Sequence, residues 1–563
     1  VNVIDGLIVT SAPEDGVTGQ FFGATNSVND GTEGAARLQF SQNGFYATFS
    51  VSGRDFGSYD VPGFIESALQ RASEPDEEFE SGLVENSFLK TSAFSGSLGW
   101  ASDKMYLGVA VRKTTSEYGL PGHSHAHEGD EDDHDHEDEG HDDDDHDHDD
   151  DDHDEDDHDL EEESPFIDME QTRADLKFGI RLDGAFWKKI EASLSASDYE
   201  HTEFEGVGEP GTVYKTDGVE FRTEADHAFG GFEGAFGLQY SDVSFEAFGE
   251  ESFISPTDTQ SFGLFVFETR EWDDGFGIEG GLRFENVSYE NDVNGDVDFD
   301  LFSASFGAHK HWASGWFIGG QLSLTERAPN QSELFADGAH LATRQYEVGR
   351  PDMDKETGLN IEGTIRWEGT NTSVGANVFF TDFSDFIYLT PGEVLHDGEL
   401  VDEVDELAVW LFTQQDADFT GFEIVGEHRF GQQFLNASWS AKGNVDFVKA
   451  ELSDGSNVPY IPPMTVNAGL SADWGAIKTD VSATWAAEQN DSGVGVLDTD
   501  SYTTLDVYAE ADLASLIGAP EGLTAFADLR NITDEEVRYA TSVLKDLLPA
   551  PGRNVRIGAK FSF

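Results

Sequence analysis

Much of the chain alternates with a period of two. In GFEGAFGLQY, Phe232, Gly234, Phe236, Leu238 and Tyr240 fall on one face, and Glu233, Ala235, Gly237 and Gln239 on the other. In SVGANVFFTDF, Val374, Ala376, Val378 and Phe380 alternate with Gly375, Asn377 and Phe379. At the C-terminus, Val555, Ile557, Ala559, Phe561 and Phe563 alternate with Arg556, Gly558, Lys560 and Ser562. Such runs predict strands with one apolar and one polar face. Where the apolar face meets lipid, an Arg or Lys on it near the midplane costs about 2–4 kcal/mol. Arg556 and Lys560 are therefore expected on the lumen or interface side.

The connections between runs alternate in length. Short ones fall at 41–44, 100–104, 181–189, 271–275, 311–315, 368–371 and 430–433; long ones at roughly 54–90, 116–168, 204–217, 329–355, 391–406 and 533–552. Short periplasmic turns and long external loops are the signature of a transmembrane β-barrel. Counting strands between the breaks gives about 22, the size associated with plugged outer-membrane transporters. The predicted fold is all-β: one antiparallel transmembrane barrel over residues 17–563. Residues 1–16 are expected to be a plug remnant or linker, too short to fill a lumen, so the plug itself is expected to be absent. The opening VNVIDG reads as a processed or truncated chain would.

Composition narrows this picture. The formal charge is −81, which argues against nucleic acid, whose phosphates need clustered Lys and Arg. It invites cations. With 0 Cys, disulfide scaffolds and Cys-based zinc sites are excluded. No run of 18 apolar residues offers a membrane helix, and the opening residues do not read as a positively charged, apolar signal segment. An acidic halophilic soluble protein would share the charge but would not need 44 Phe and 60 Gly. No G-x-S-x-G elbow, phosphate-binding glycine loop or H-E-x-x-H helix is found, so no enzymatic activity is expected.

One segment departs from the alternation. Residues 122–163 hold ten His and 26 Asp or Glu, with no Lys or Arg. Imidazole suits zinc, copper and nickel, and carboxylates add oxygen ligands. His123, His125 and His127 are spaced by two, as are His134 and His136, and His146 and His148; His141, His153 and His158 complete the set. On an extended chain, neighbours so spaced can grip one ion. The spacing fixes no single tetrahedral cage, so many weak, interchangeable sites acting by multivalency are expected. The segment is expected to be disordered until it binds, and calcium could occupy its Asp runs. The bland reading is a solvated charge run. That reading accommodates the acids but not ten His here against seven in the rest of the chain.

Strand counting places His201, His340 and His396 near long, external connections, and His227, His309, His311 and His428 near short, periplasmic ones. If its strand continues, His201 shares a face with Glu203 and Glu205. This makes His201 with Glu203 the first candidate for an ordered mouth site, against a solvated strand end. His340, with Glu333 and Asp337, is a second. His309 and His311 flank Lys310 and Trp312 and read as interfacial turn residues.

The ending LRNITDEEVRYATSVLKDLLPAPGRNVRIGAKFSF resembles that of TonB-dependent outer-membrane receptors at Asn531, Ile532, Asp534, Tyr539, Pro551, Gly552, Arg553 and Phe563. The block 326–367 resembles the family's mid-barrel region, and the opening VNV the end of its plug. Within the family, YGLPGHSHAHE (118–128), DYEHTEFEG (198–206), FGEESFISPT (248–257) and LKDLLPAPGRN (544–554) resemble the zinc-uptake, ZnuD-type branch. The resemblance implies a Gram-negative outer-membrane receptor that imports a transition metal, most simply zinc. Implied partners are the TonB energy-coupling complex (whose coupling box is not in this sequence), outer-membrane lipid and lipopolysaccharide, and the barrel-assembly machinery, which reads the terminal Phe. The alternatives are a receptor for a siderophore or other metal chelate, or for copper or nickel; a plug-free porin; and an acidic surface protein that buffers metal.

Overall fold

The computed structural model describes residues 6–75, 79–121, 164–249, 252–396, 398–405, 407–431 and 433–563. Twenty-two antiparallel strands follow one another in chain order around a closed wall, from Gly16–Asn26 to Asn554–Ser562. The last strand closes on the first, with Phe21 opposite Phe561 and Thr25 opposite Ile557. Helix is limited to about 4%, in short pieces such as Ala68–Ser73, Gln331–Phe335 and Leu513–Ile517.

The alternation in sequence becomes an alternation of solvents. Leu264, Phe284, Phe302, Leu322, Ile361, Phe380 and Ile424 all project outward, large and exposed. Their strand neighbours point into the lumen, where Arg283 pairs with Glu285 and Arg222 with Glu224. Trp187, Trp316 and Trp474 stand exposed near the short turns, where amphipathic rings suit a membrane–water interface. Arg556 lies on the lumen face, 2.7 Å from Glu33 and over the Phe22 and Phe526 rings. Lys560 lies over the Phe526 ring and 3.6 Å from Glu510 on the same face. Charge is thereby kept from the apolar belt.

At the other end the connections are longer and fold over the wall. Most match the expected breaks, but 204–217 is not a loop. The strands Trp187–Gly206 and Glu209–Phe229 run on past it and meet in a tight turn, with Gly208 at φ 88°. Ladder hydrogen bonds on both flanks hold this polar stretch extended, so the hairpin stands above the apolar belt.

The largest buried cluster also sits at the loop end. Phe253, Ile254, Leu334, Phe335 and Met353, from two connections, pack on Tyr214, Phe245, Val287, Tyr289 and Phe299 of the wall. The connection 328–355 begins with Gln331–Phe335, capped by Asn330 and Glu333 in a reciprocal capping box. It continues as a hairpin, Asp337–His340 against Gln345–Val348. The second arm adds to Leu407–Arg429 in parallel, which fixes the hairpin's position on the wall.

At the turn end, residues before the first strand lie against the lumen wall. Leu7 and Ile8 are buried with Ala110, and Ser97 Oγ donates to Leu7 O at 2.6 Å.

Candidate functional site

The His- and acid-rich segment with His123, His125, His127, His134, His136, His141, His146, His148, His153 and His158 lies outside the described residues. Its two roots do not. Met105–Gly119 pairs with Phe166–Arg181 up to Gly119 opposite Phe166, and Leu120 N–H donates to Pro165 O at 3.0 Å. Asn86 Nδ2 donates to Leu120 O at 3.1 Å and to Pro165 O at 2.7 Å, tying both roots together. On the next strand pair, Ile167 faces Glu203 and Met169 faces His201. The segment therefore leaves the barrel beside His201 and Glu203.

His201 sits inside a strand, paired with Met169 on one side and Tyr214 on the other. Since the strand continues, His201, Glu203 and Glu205 do share the inward face. The imidazole stacks on Tyr214 at 4.6 Å between centroids and meets Tyr199 edge-on at 5.5 Å. Its Nε2 lies 3.8 Å from Glu203 Oε1, too long for a hydrogen bond. Its Nδ1 is buried with no hydrogen-bond partner. A buried ring nitrogen left without a protein partner is one that a bound cation would satisfy.

His340 is held differently. Its Nδ1 is 2.7 Å from Oε1 of Glu347, across the hairpin. Glu347 is only 5% exposed and also accepts from Thr343 Oγ1 at 3.0 Å. A carboxylate accepting from Nδ1–H fixes the tautomer and leaves the Nε2 lone pair free, the arrangement that orients and strengthens imidazole ligands. The expected partner Glu333 is not there. It accepts from the Arg327 guanidinium at 2.8 Å and from Asn330 N–H at 2.7 Å. Asp337 accepts from Tyr346 Oη at 3.3 Å; burial foremost, and then this carboxylate, push the Tyr346 phenol up.

His340 stacks on Phe253 at 4.4 Å, and Phe253 meets Tyr214 edge-on at 6.4 Å. The two candidates, far apart in sequence, therefore stand at the two ends of one run of rings: His201, Tyr214, Phe253, His340. Among the described residues no group of three or more His, Asp or Glu is assembled to hold an ion. The mouth offers two half-sites, His201 with Glu203 and His340 with Glu347, on an aromatic floor. Sequence reasoning missed Glu347, Tyr214 and Phe253. The alternation in DGAH and QYEV carried a hairpin signal for Glu347; nothing local signalled the two rings.

The other histidines divide by face. His396 is on a loop hairpin, Val394–His396 with Glu399–Val401. At the turn end, His227 lies on the outer face between Phe186 and Phe236, 3.0 Å from Glu268. His428 is on the outer face too, with Nδ1 2.7 Å from Thr372 Oγ1. His309 and His311 point into the lumen, His309 stacked and His311 tilted on Phe317; it is Lys310 between them that faces out, toward Asp274. They are wall residues of a strand, Val297–His311, rather than turn residues.

The family model "TonB dependent receptor-like, beta-barrel" matches residues 28–532. Solved structures agree in fold. A copper transporter, OprC, superposes with a TM-score of 0.75 at 15% identity, covering 98% of this chain and 81% of its own. The FrpB iron transporter from Neisseria meningitidis gives 0.70 at 13% identity, covering 98% and 83%. The siderophore receptor PirA from Acinetobacter baumannii gives 0.68 at 14% identity, covering 98% and 81%. This chain belongs to the TonB-dependent receptor β-barrel family and is a Gram-negative outer-membrane protein. The loop end is accordingly extracellular and the turn end periplasmic. The family is one of transporters and receptors.

Proposed function

We propose that this receptor imports a transition metal ion, zinc foremost, by a two-stage capture. The His- and acid-rich segment gathers ions from dilute medium through many weak contacts. His201 with Glu203, and His340 with Glu347, take them over at the mouth. Glu347, already bonded to Nδ1, directs the Nε2 lone pair of His340 to the ion. Zinc accepts such mixed imidazole and carboxylate sets in tetrahedral geometry. The Asp runs bind calcium more loosely. Membership of the family implies TonB-coupled import; contacts with lipopolysaccharide and with the assembly machinery through Phe563 belong to the same reading.

One observation supports this most. The segment richest in imidazole is rooted next to His201, and both mouth histidines abut one aromatic floor. Copper is the second reading: imidazole suits it equally, and a copper transporter is among the structural neighbours. The test is uptake in cells carrying the full chain, with Zn²⁺, Cu²⁺, Ni²⁺ and a ferric siderophore in competition. Zinc uptake resistant to the others supports the proposal. Uptake of the ferric chelate with no metal-ion uptake overturns it.

A further inference from the structure

We propose that His309 and His311 form a second transition-metal station on the lumen wall, at the periplasmic end of the barrel. It takes a borderline cation such as Zn²⁺, Cu²⁺ or Ni²⁺. As a station on the import path it rests on the metal-ion reading above; as a binding site it stands on its own geometry.

The two residues are spaced by two on one strand, so both side chains leave the same face. That face is the lumen. Their flanking residues Ala308 and Lys310 align with the outward row of Phe306 and Ile318, while His309 and His311 align with inward Phe317. The rings are 5.3 Å apart between centroids and meet edge-on. His309 stacks on Phe317 at 5.6 Å, and His311 tilts onto it at 4.7 Å. Glycines on the lumen face make room for these side chains. Gly277 is directly opposite His309, and a Cβ there would collide with the imidazole Nε2. The Glu279 side chain leans over Gly307, the next lumen-facing position beyond His309, coming within 3.0 Å of where a Cβ would stand.

The pair differs from the other histidines near this end. His227 faces Glu268, and His428 bonds Thr372, both on the outer face. No ion pair or hydrogen bond occupies the His309 or His311 nitrogens among the described residues, and His311 is exposed. Two free imidazoles on one face can chelate a single ion and leave its remaining positions to water. Arg366, over the Phe317 ring at 4.3 Å, adds a fixed positive charge that works against tight holding. A site near an exit must bind well enough to be entered and weakly enough to be left. A bidentate pair without a buried carboxylate partner has that balance.

The experiment uses the full chain with 122–163 deleted and His201→Ala and His340→Ala introduced, which removes the imidazoles of the segment and of the two mouth half-sites. It is titrated with Cu²⁺ alone and followed by electron paramagnetic resonance. A signal with two imidazole nitrogens is expected; it loses one nitrogen in His309→Ala or His311→Ala and is unchanged in His428→Ala. A two-nitrogen signal that survives the double substitution, or no imidazole-bound Cu²⁺ at all, overturns the site. In cells with the mouth intact, His309→Ala/His311→Ala is expected to slow zinc uptake about tenfold while leaving capture at the cell surface unchanged. Unchanged uptake overturns its place on the path. If the ion binds at the pair but the unsubstituted receptor imports none, the cargo reading fails while the site stands.

Discussion

At the extracellular mouth, His340 gives one nitrogen to a nearly buried carboxylate and has an aromatic floor beneath it. At the periplasmic end, His309 and His311 share an aromatic floor and, among the described residues, form no ion pair with a carboxylate. The same side chain over the same kind of aromatic floor is thus set for two tasks. A carboxylate behind an imidazole raises its basicity and locks its orientation, which favours holding. A bare pair offers ligands without that reinforcement, which favours passing on. His201 stands between the cases, its Nε2 3.8 Å from Glu203 and its Nδ1 unpartnered.

The largest effect is expected from removing the mouth histidines. His201→Ala/His340→Ala is expected to lower zinc uptake by an order of magnitude or more, at scarce and abundant zinc alike, measured with radioactive zinc. Glu347→Gln keeps the ring and its contacts but weakens the acceptor; the mouth's affinity for zinc, read by calorimetry on the full chain, should fall about 10- to 100-fold. If Glu347→Gln leaves affinity unchanged, the carboxylate is only structural and the contrast with His309 and His311 loses its basis.

Deleting 122–163 should have a conditional effect. Uptake should fall several-fold at scarce zinc and recover when zinc is abundant, because the segment supplies local concentration rather than passage. Loss of transport at every concentration would make the segment the essential site. Zinc binding by the excised segment should weaken as pH falls through about 6.5, since protonated imidazole cannot coordinate and surrounding acids favour the proton. Calorimetry between pH 5.5 and 7.5 checks this.

The smallest effect concerns the packing of the external loops. Tyr59 donates to Pro549 O at 3.1 Å, and burial pushes its phenol up to about 12 against the pull of the Arg538 guanidinium. A phenol raised in the folded state contributes stability below its unfolded value of about 10. That contribution is lost as pH rises through about 12. Tyr289 is pushed up to about 12 as well, so ultraviolet titration should show late phenolate absorbance that falls by one tyrosine's share in Tyr59→Phe.

The barrel itself was legible in the sequence. Period-two alternation is local and repeats along the chain, and the alternation of connection lengths sets strand number and sidedness without any tertiary information. Arg556 and Lys560 could be assigned to the polar side because lipid penalises charge wherever it faces it. The 204–217 region was misread as a loop, since a polar strand above the apolar belt loses the apolar half of the alternation while keeping its ladder hydrogen bonds. The candidate site was legible only in part. The histidines were visible as residue types, and the common face of His201 and Glu203 followed from strand parity. The pairing of His340 with Glu347 instead of Glu333 depended on a hairpin docking against Leu407–Arg429 and on a capping box that had already engaged Glu333. The meeting of His201 and His340 across Tyr214 and Phe253, and the inward aim of His309 and His311, were decided by loop paths and strand register. Those are long-range contacts, set by which surfaces can be buried together, and no local pattern encodes them.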